Sequence, residues 1–188
     1  MALQKHKLYT VEEFDDYITR PENADRLFEF INGEIVEKVP SNPNASEIAQ
    51  LIAFFIRLFL RQHNITGHVT DGQGGYIIAG EKYAPDVAYI SQARQPELAK
   101  KGYNPMPPEL ALEVESPSTA KSERRLRTKL YYYHAAGTVV WVVYPDTREV
   151  DVHVPGKAPQ TLTEADILRD GDVLPDFELP VKDIFPQA

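Results

Sequence analysis

The run Leu110-Ala111-Leu112-Glu113-Val114-Glu115 sets two carboxylates into an apolar, strand-like segment. Side chains alternate across a strand, so Leu110, Leu112 and Val114 share one face while Glu113 and Glu115 share the other, about 7 Å apart. A second strand-like run opens at Pro85-Asp86 and continues to Ile90. Laid side by side, the two runs bring three carboxylates together. Like charges at that spacing repel and shift one another's pKa unless a cation lies between them, and oxygen donors suit Mg²⁺, Mn²⁺ or Ca²⁺ rather than zinc. The residues point to a candidate catalytic metal site.

Outward from this stretch, Thr10 and Glu13 have capping-box spacing and predict a helix over Val11–Ile18. Leu27-Phe-Glu-Phe-Ile and Glu34-Ile-Val-Glu-Lys flank Asn32-Gly33, a pair suited to the positive φ of a two-residue turn, and predict a β-hairpin. From Ala45 to about Gln62, Ile48, Leu51, Ile52, Phe55, Leu58 and Phe59 recur at helical spacing. Strands are expected at 68–70, 75–78, 86–90 and 110–115, with Ser116-Pro-Ser ending the last of them. Ser91 to Lys101 reads as irregular or briefly helical. A helix then follows over Ala120–Ala136 with Gly137 at its C-terminal cap, and Val139-Val-Trp-Val-Val-Tyr reads as a buried strand. Gly72-Gln-Gly-Gly75 sits between strands with no helix after it, so it reads as a turn rather than a phosphate loop. Short β-type runs continue to Phe185. With the hairpins removed, helix, three strands, helix and strand remain, an α/β (α+β) pattern with a mixed sheet and helices on its faces.

The 188 residues suit one domain, with 43% hydrophobic and 26% charged residues, both ordinary for a globular chain. The absence of cysteine excludes disulfides, thiolate metal sites and cysteine nucleophiles. Five scattered histidines lack ligand spacing. The start of the chain has no apolar run of signal-peptide length, and Leu51-Ile-Ala-Phe-Phe-Ile is broken by Arg57, so a cytoplasmic protein that does not span a membrane is expected. A net charge of −8 argues against nonspecific coating of nucleic acid, although Lys121–Lys129 gathers five basic residues around one acid.

Taken in order, Tyr9-Thr-Val-Glu-Glu-Phe, Phe28-Glu-Phe-Ile-Asn-Gly-Glu-Ile-Val, Ala84-Pro-Asp-Val-Ala, Leu112-Glu-Val-Glu-Ser-Pro-Ser, Lys129-Leu-Tyr-Tyr-Tyr and Val140-Trp-Val-Val-Tyr-Pro-Asp resemble the PD-(D/E)XK nuclease superfamily. Within it, the chain is similar to the Uma-type family of restriction-endonuclease-like proteins, over nearly its whole length. The resemblance implies a restriction-endonuclease-like αβββαβ core, with the N-terminal hairpin and C-terminal strands as extensions. It implies a divalent-metal-dependent nuclease that hydrolyses phosphodiester bonds of nucleic acid with Mg²⁺ or Mn²⁺. DNA is the expected partner, although the residues themselves do not separate DNA from RNA. Asp86 and Glu113 would hold the metal, with the Val114 carbonyl or Glu115 as a further ligand. The superfamily's lysine two residues after Glu113 is Glu115 here, and Lys129 matches the family's alternative position on the following helix, there to orient water and offset phosphate charge. Glu47, on the first long helix, is a fourth catalytic candidate.

Each residue also has a plainer reading. Asp86 could end a loop, the two glutamates could be solvated surface, Lys129 could cover a helix edge, and Glu47 could complement the helix dipole. At the level of function, a noncatalytic binding or assembly module on the same fold competes with the nuclease. A metal-free carboxylate-pair hydrolase stands behind both. A homodimer fits an enzyme that cuts two strands, but no residue demonstrates one.

Overall fold

Thr10 accepts from the Glu13 N–H while Glu13 reaches back to the Thr10 N–H, and this capping box starts α1 (Val11–Ile18). The computed structural model describes residues 7–115, 119–170 and 172–186. After α1 come β1 (Phe28–Ile31) and β2 (Glu34–Glu37), joined by Asn32 at φ 48° and Gly33 at φ 79°, the expected hairpin. Next come α2 (Pro43–Gln62), β3 (Gly67–Asp71), β4 (Tyr76–Ile78), β5 (Glu81–Tyr83), β6 (Val87–Ser91) and β7 (Leu110–Val114). The chain ends with α3 (Ala120–Ala135), β8 (Val139–Tyr144), β9 (Glu149–His153), β10 (Gln160–Leu162), β11 (Ile167–Asp170) and β12 (Leu174–Pro180). The expected strand stop at Ser116-Pro-Ser and the first six residues lie outside the described residues.

The main sheet has the order β10-β9-β8-β7-β6-β3 and is mixed: β7 and β8 are parallel, and their neighbours pair antiparallel. A parallel pair needs a crossover, which α3 supplies. Pro43 at the first turn and the Asn42 side chain, which accepts from the Ala45 N–H, start α2 two residues before the expected position. Ile48, Ile52 and Ile56 then form an i, i+4, i+8 stripe, fully buried against Val87, Leu110, Leu112, Trp141 and Val143. Each such isoleucine stabilises the fold by about 1.5–3 kcal/mol relative to an exposed one. On the opposite face, Ala88, Ala111, Val140 and Val142 pack with Leu126 and Tyr133 of α3. This is the αβββαβ core, built from α2, β3, β6, β7, α3 and β8. The β11–β12 hairpin extends the α2 side, where Phe177 stacks on Trp141 with ring centroids 5.8 Å apart.

The run at 75–78 does not join the main sheet. It becomes β4, turns through Ala79 at φ 48° and Gly80 at φ 91°, and pairs with β5, a strand absent from the sequence reading. The β4–β5 hairpin then meets the N-terminal hairpin edge to edge through Phe30 and Lys82, forming a second sheet of order β2-β1-β5-β4. Charged Glu81 and Lys82 concealed β5. They are buried because Glu81 accepts the Asn32 N–H and Lys82 pairs with Asp15. No helix among the described residues is long and apolar enough to cross a membrane.

Candidate functional site

The register of β6 against β7 brings the two acidic segments together. Val87 pairs with Leu112 and Ala88 with Ala111, so one further step sets Asp86 opposite Glu113. The Asp86 N–H donates to the Leu112 carbonyl at 2.9 Å, which carries the ladder to that point. Alternation sends Leu110 and Leu112 to the α2 side, and Ala111 and Glu113 to the α3 side with Ala88 and Asp86. Asp86 Oδ2 accepts the Val114 N–H at 2.9 Å, an anchor that orients the carboxylate from the backbone.

Lys129 lies one turn from both Leu126 and Tyr133 on the buried face of α3. Its Nζ is 2.6 Å from Glu113 Oε1 and 3.0 Å from Glu29 Oε1, and it lies 5.3 Å from the centre of the Tyr83 ring. The Tyr133 hydroxyl donates to the same Glu113 Oε1 at 2.7 Å. Glu29, Glu113 and Lys129 are each no more than 7% exposed.

Three members of this network escaped the sequence reading. Glu29 shares a β1 face with Ile31, and its Oε1 also accepts the Ala84 N–H at 2.9 Å. The available signal was an acid inside a four-residue strand that is otherwise wholly apolar. Lys38 follows β2, its backbone N–H bonded to the Leu27 carbonyl, and its Nζ lies 2.9 Å from Asp86 Oδ1 and donates also to the Ala84 carbonyl. Nothing local distinguishes it from any lysine leaving a hairpin. Tyr133 is wholly buried but spends its hydroxyl on Glu113.

Burial pushes the Glu113 carboxyl up to about 7; Lys129 opposes this, while Asp86 and Glu29 add to it. For Lys129, burial acts to lower the pKa, but Glu113 and Glu29 outweigh it and hold the ammonium above its ordinary value. Lys129 is therefore a fixed cation rather than a base. Burial raises Glu115 as well, with Lys129 opposing and Asp86 and Glu123 reinforcing. Three carboxylates (Glu29, Asp86, Glu113) face two ammonium groups (Lys38, Lys129), an arrangement short of positive charge.

A cleft of about 320 Å³ opens over these groups, with Asp86, Glu113, Val114, Glu115, Lys38 and Lys129 in its wall. A second cleft, of about 560 Å³, shares Lys38 and Asp86 with the first and continues past Gly72 to Ser46 and Gln50 of α2. Glu47 is exposed and lines neither cleft, since the turn of the helix presents Ser46 and Gln50 there instead. On α3, Arg125 lines the first cleft, while Lys121 and Arg124 are exposed and make no ion pair among the described residues. Among the described residues no three His, Asp or Glu side chains are grouped to enclose a metal. The donor set still fits a hard cation of the Mg²⁺ type, which takes one or two carboxylates and fills its remaining positions with other oxygens. Lys129 and the Tyr133 hydroxyl both meet Glu113 at Oε1, and an ammonium already occupies Asp86 Oδ1.

Residues 11–182 match the Uma2 family model, described as "Putative restriction endonuclease". A crystal structure described as a putative nuclease belonging to DUF820, from Anabaena variabilis, is 19% identical and superposes with a TM-score of 0.76, covering 94% of this chain and 97% of that one. That likeness establishes the restriction-endonuclease-like fold. No curated protein matches the sequence.

Proposed function

The chain belongs to the Uma2 family of restriction-endonuclease-like proteins, and on that premise we propose that it hydrolyses phosphodiester bonds of nucleic acid, DNA first among the candidates, with Mg²⁺ or Mn²⁺ held by Asp86 and Glu113. The observation that carries this reading is the β6–β7 register, which sets Asp86 opposite Glu113 on the face that also bears Lys129. A divalent ion held there would supply Lewis-acid polarisation of the phosphodiester. Asp86 enters with Oδ2 already oriented by the Val114 N–H, which fixes the direction in which the carboxylate presents itself. Glu113 offers the second carboxylate from the adjacent strand, and Val114 and Glu115 stand at the cleft wall as further oxygen donors. Lys129, kept protonated by Glu113 and Glu29, offsets charge on the phosphate and donates a hydrogen bond from Nζ to the attacking water. Arg125 at the cleft wall, with the exposed Lys121 and Arg124 elsewhere on the same helix, gives α3 positive charge for the backbone of the strand. Glu47 has no part in this arrangement.

The test is incubation of the pure protein with DNA and RNA in Mg²⁺ or Mn²⁺, against chelator and against Asp86→Ala. Cleavage that falls about a hundredfold or more in both controls is expected. Cleavage that survives both, or is absent from the wild-type protein, overturns the reading. A second reading, a binding module on the same fold, draws on the ammonium groups already paired with both acids. Nucleic-acid binding without any turnover would favour it.

A further inference from the structure

Lys38 and Lys129 hold the two acids in different ways. Lys129 is enclosed by two carboxylates and a ring, whereas the Lys38 side chain is 23% exposed and pairs with one carboxylate at the junction of two clefts. Asp86 Oδ2 is tied down by the Val114 N–H, so Oδ1 is the oxygen left to meet a cation, and the Lys38 ammonium is on it at 2.9 Å. An ammonium and a divalent ion cannot share that oxygen without strong repulsion. Lys38 stands on a flexible four-carbon stem, and Gly72 leaves the flank of the pair open. A Cβ at Gly72 would come within 3.4 Å of Lys38 Nζ and 3.6 Å of Asp86 Oδ1, and any longer side chain would fill the space beside the ammonium.

We infer, resting on the metal-dependent reading above, that Lys38 is a tethered cation that reserves the Asp86 Oδ1 ligand position, yields it to the divalent ion and then pairs with a backbone phosphate of the nucleic acid lying in the same groove. Lys38 is thus a positioning residue with two opposed effects. It weakens metal binding, because the metal must displace it, and it strengthens nucleic-acid binding, because the displaced charge finds a phosphate. A purely structural lysine would move both affinities in the same direction.

The experiment compares wild type with Lys38→Met in two titrations: Mn²⁺ alone followed by calorimetry, and a labelled DNA oligonucleotide followed by anisotropy in Ca²⁺. Should Lys38→Met fail to fold by circular dichroism, Lys38→Gln takes its place. The variant is expected to bind Mn²⁺ about tenfold more tightly, the scale of one charge-assisted hydrogen bond. It is also expected to bind the oligonucleotide severalfold more weakly, with a salt slope shallower by about one phosphate contact. Mn²⁺ affinity equal to or below that of the wild type overturns the reservation of Oδ1 and leaves the nuclease reading intact. Tighter Mn²⁺ with unchanged oligonucleotide binding overturns the phosphate role. Mn²⁺ binding by neither protein overturns the metal reading together with this inference.

Discussion

Replacing Lys129 with methionine removes one ammonium while keeping most of the apolar stem, and the network makes the consequence calculable. Glu113 Oε1 at 2.6 Å and Glu29 Oε1 at 3.0 Å lose their shared counter-charge at a position only 6% exposed. Removing one partner of a buried pair costs about 3–5 kcal/mol. Protonation offsets part of that loss. Glu113 is held up at about 7 with Lys129 in place, and without it the carboxyl rises further, since burial and the neighbouring Asp86 and Glu29 then act unopposed by the nearest cation. For a carboxyl raised in the folded state, the stabilising contribution is complete below its ordinary value, near 4.5, and is lost as pH rises through the folded value. The penalty of Lys129→Met is therefore smallest near pH 6 and approaches the full 3–5 kcal/mol above about pH 8. Urea unfolding of both proteins at pH 6 and pH 8.5 measures it, and adding Glu113→Gln should relieve part of the loss at the higher pH. A penalty below about 1 kcal/mol at pH 8.5, or one that does not change with pH, refutes the account of a buried charge cluster.

The protonated fraction of Glu113 near neutrality has a counterpart in metal binding. Mn²⁺ binding should release a proton, and its affinity should climb between about pH 6 and 8; calorimetry in buffers of different ionisation enthalpy reads the proton directly, and a flat profile rules the coupling out. Gly75→Ala should destabilise by about 1–3 kcal/mol, because its Cβ would lie 2.5 Å from Cδ1 of Tyr103, whose hydroxyl is bonded to the Phe28 carbonyl; an unchanged urea midpoint contradicts this.

How much was legible in the sequence depended on how far each signal reached along the chain. Helix ends were legible because capping is local: Thr10 with Glu13 fixes α1, and Gly137 at φ 77° closes α3. The two-residue period of 110–115 showed which face Glu113 occupies. Its neighbour required a β6–β7 register that no single segment contains. Lys38 and Glu29 were out of reach for a stronger reason, since they enter the site only when β1 docks against β5 through Phe30 and Lys82, about fifty positions apart. Glu47 depends on helix phase. The helix was read correctly, but its phase places Ser46 and Gln50 at the cleft and leaves the glutamate outside.

The docking of the two hairpins also decides which cations face the acids. The strands bearing Asp86 and Glu113 belong to the main sheet, whereas Glu29 and Lys38 arrive on a hairpin that touches this region through a separate sheet. A chain whose first forty residues were unseated would keep Glu113 beside Lys129 but leave Asp86 without Lys38. In that arrangement calcium, magnesium or manganese in the surrounding medium would meet Asp86 with no tethered rival. Metal present during refolding and metal added afterwards should accordingly enter by different routes.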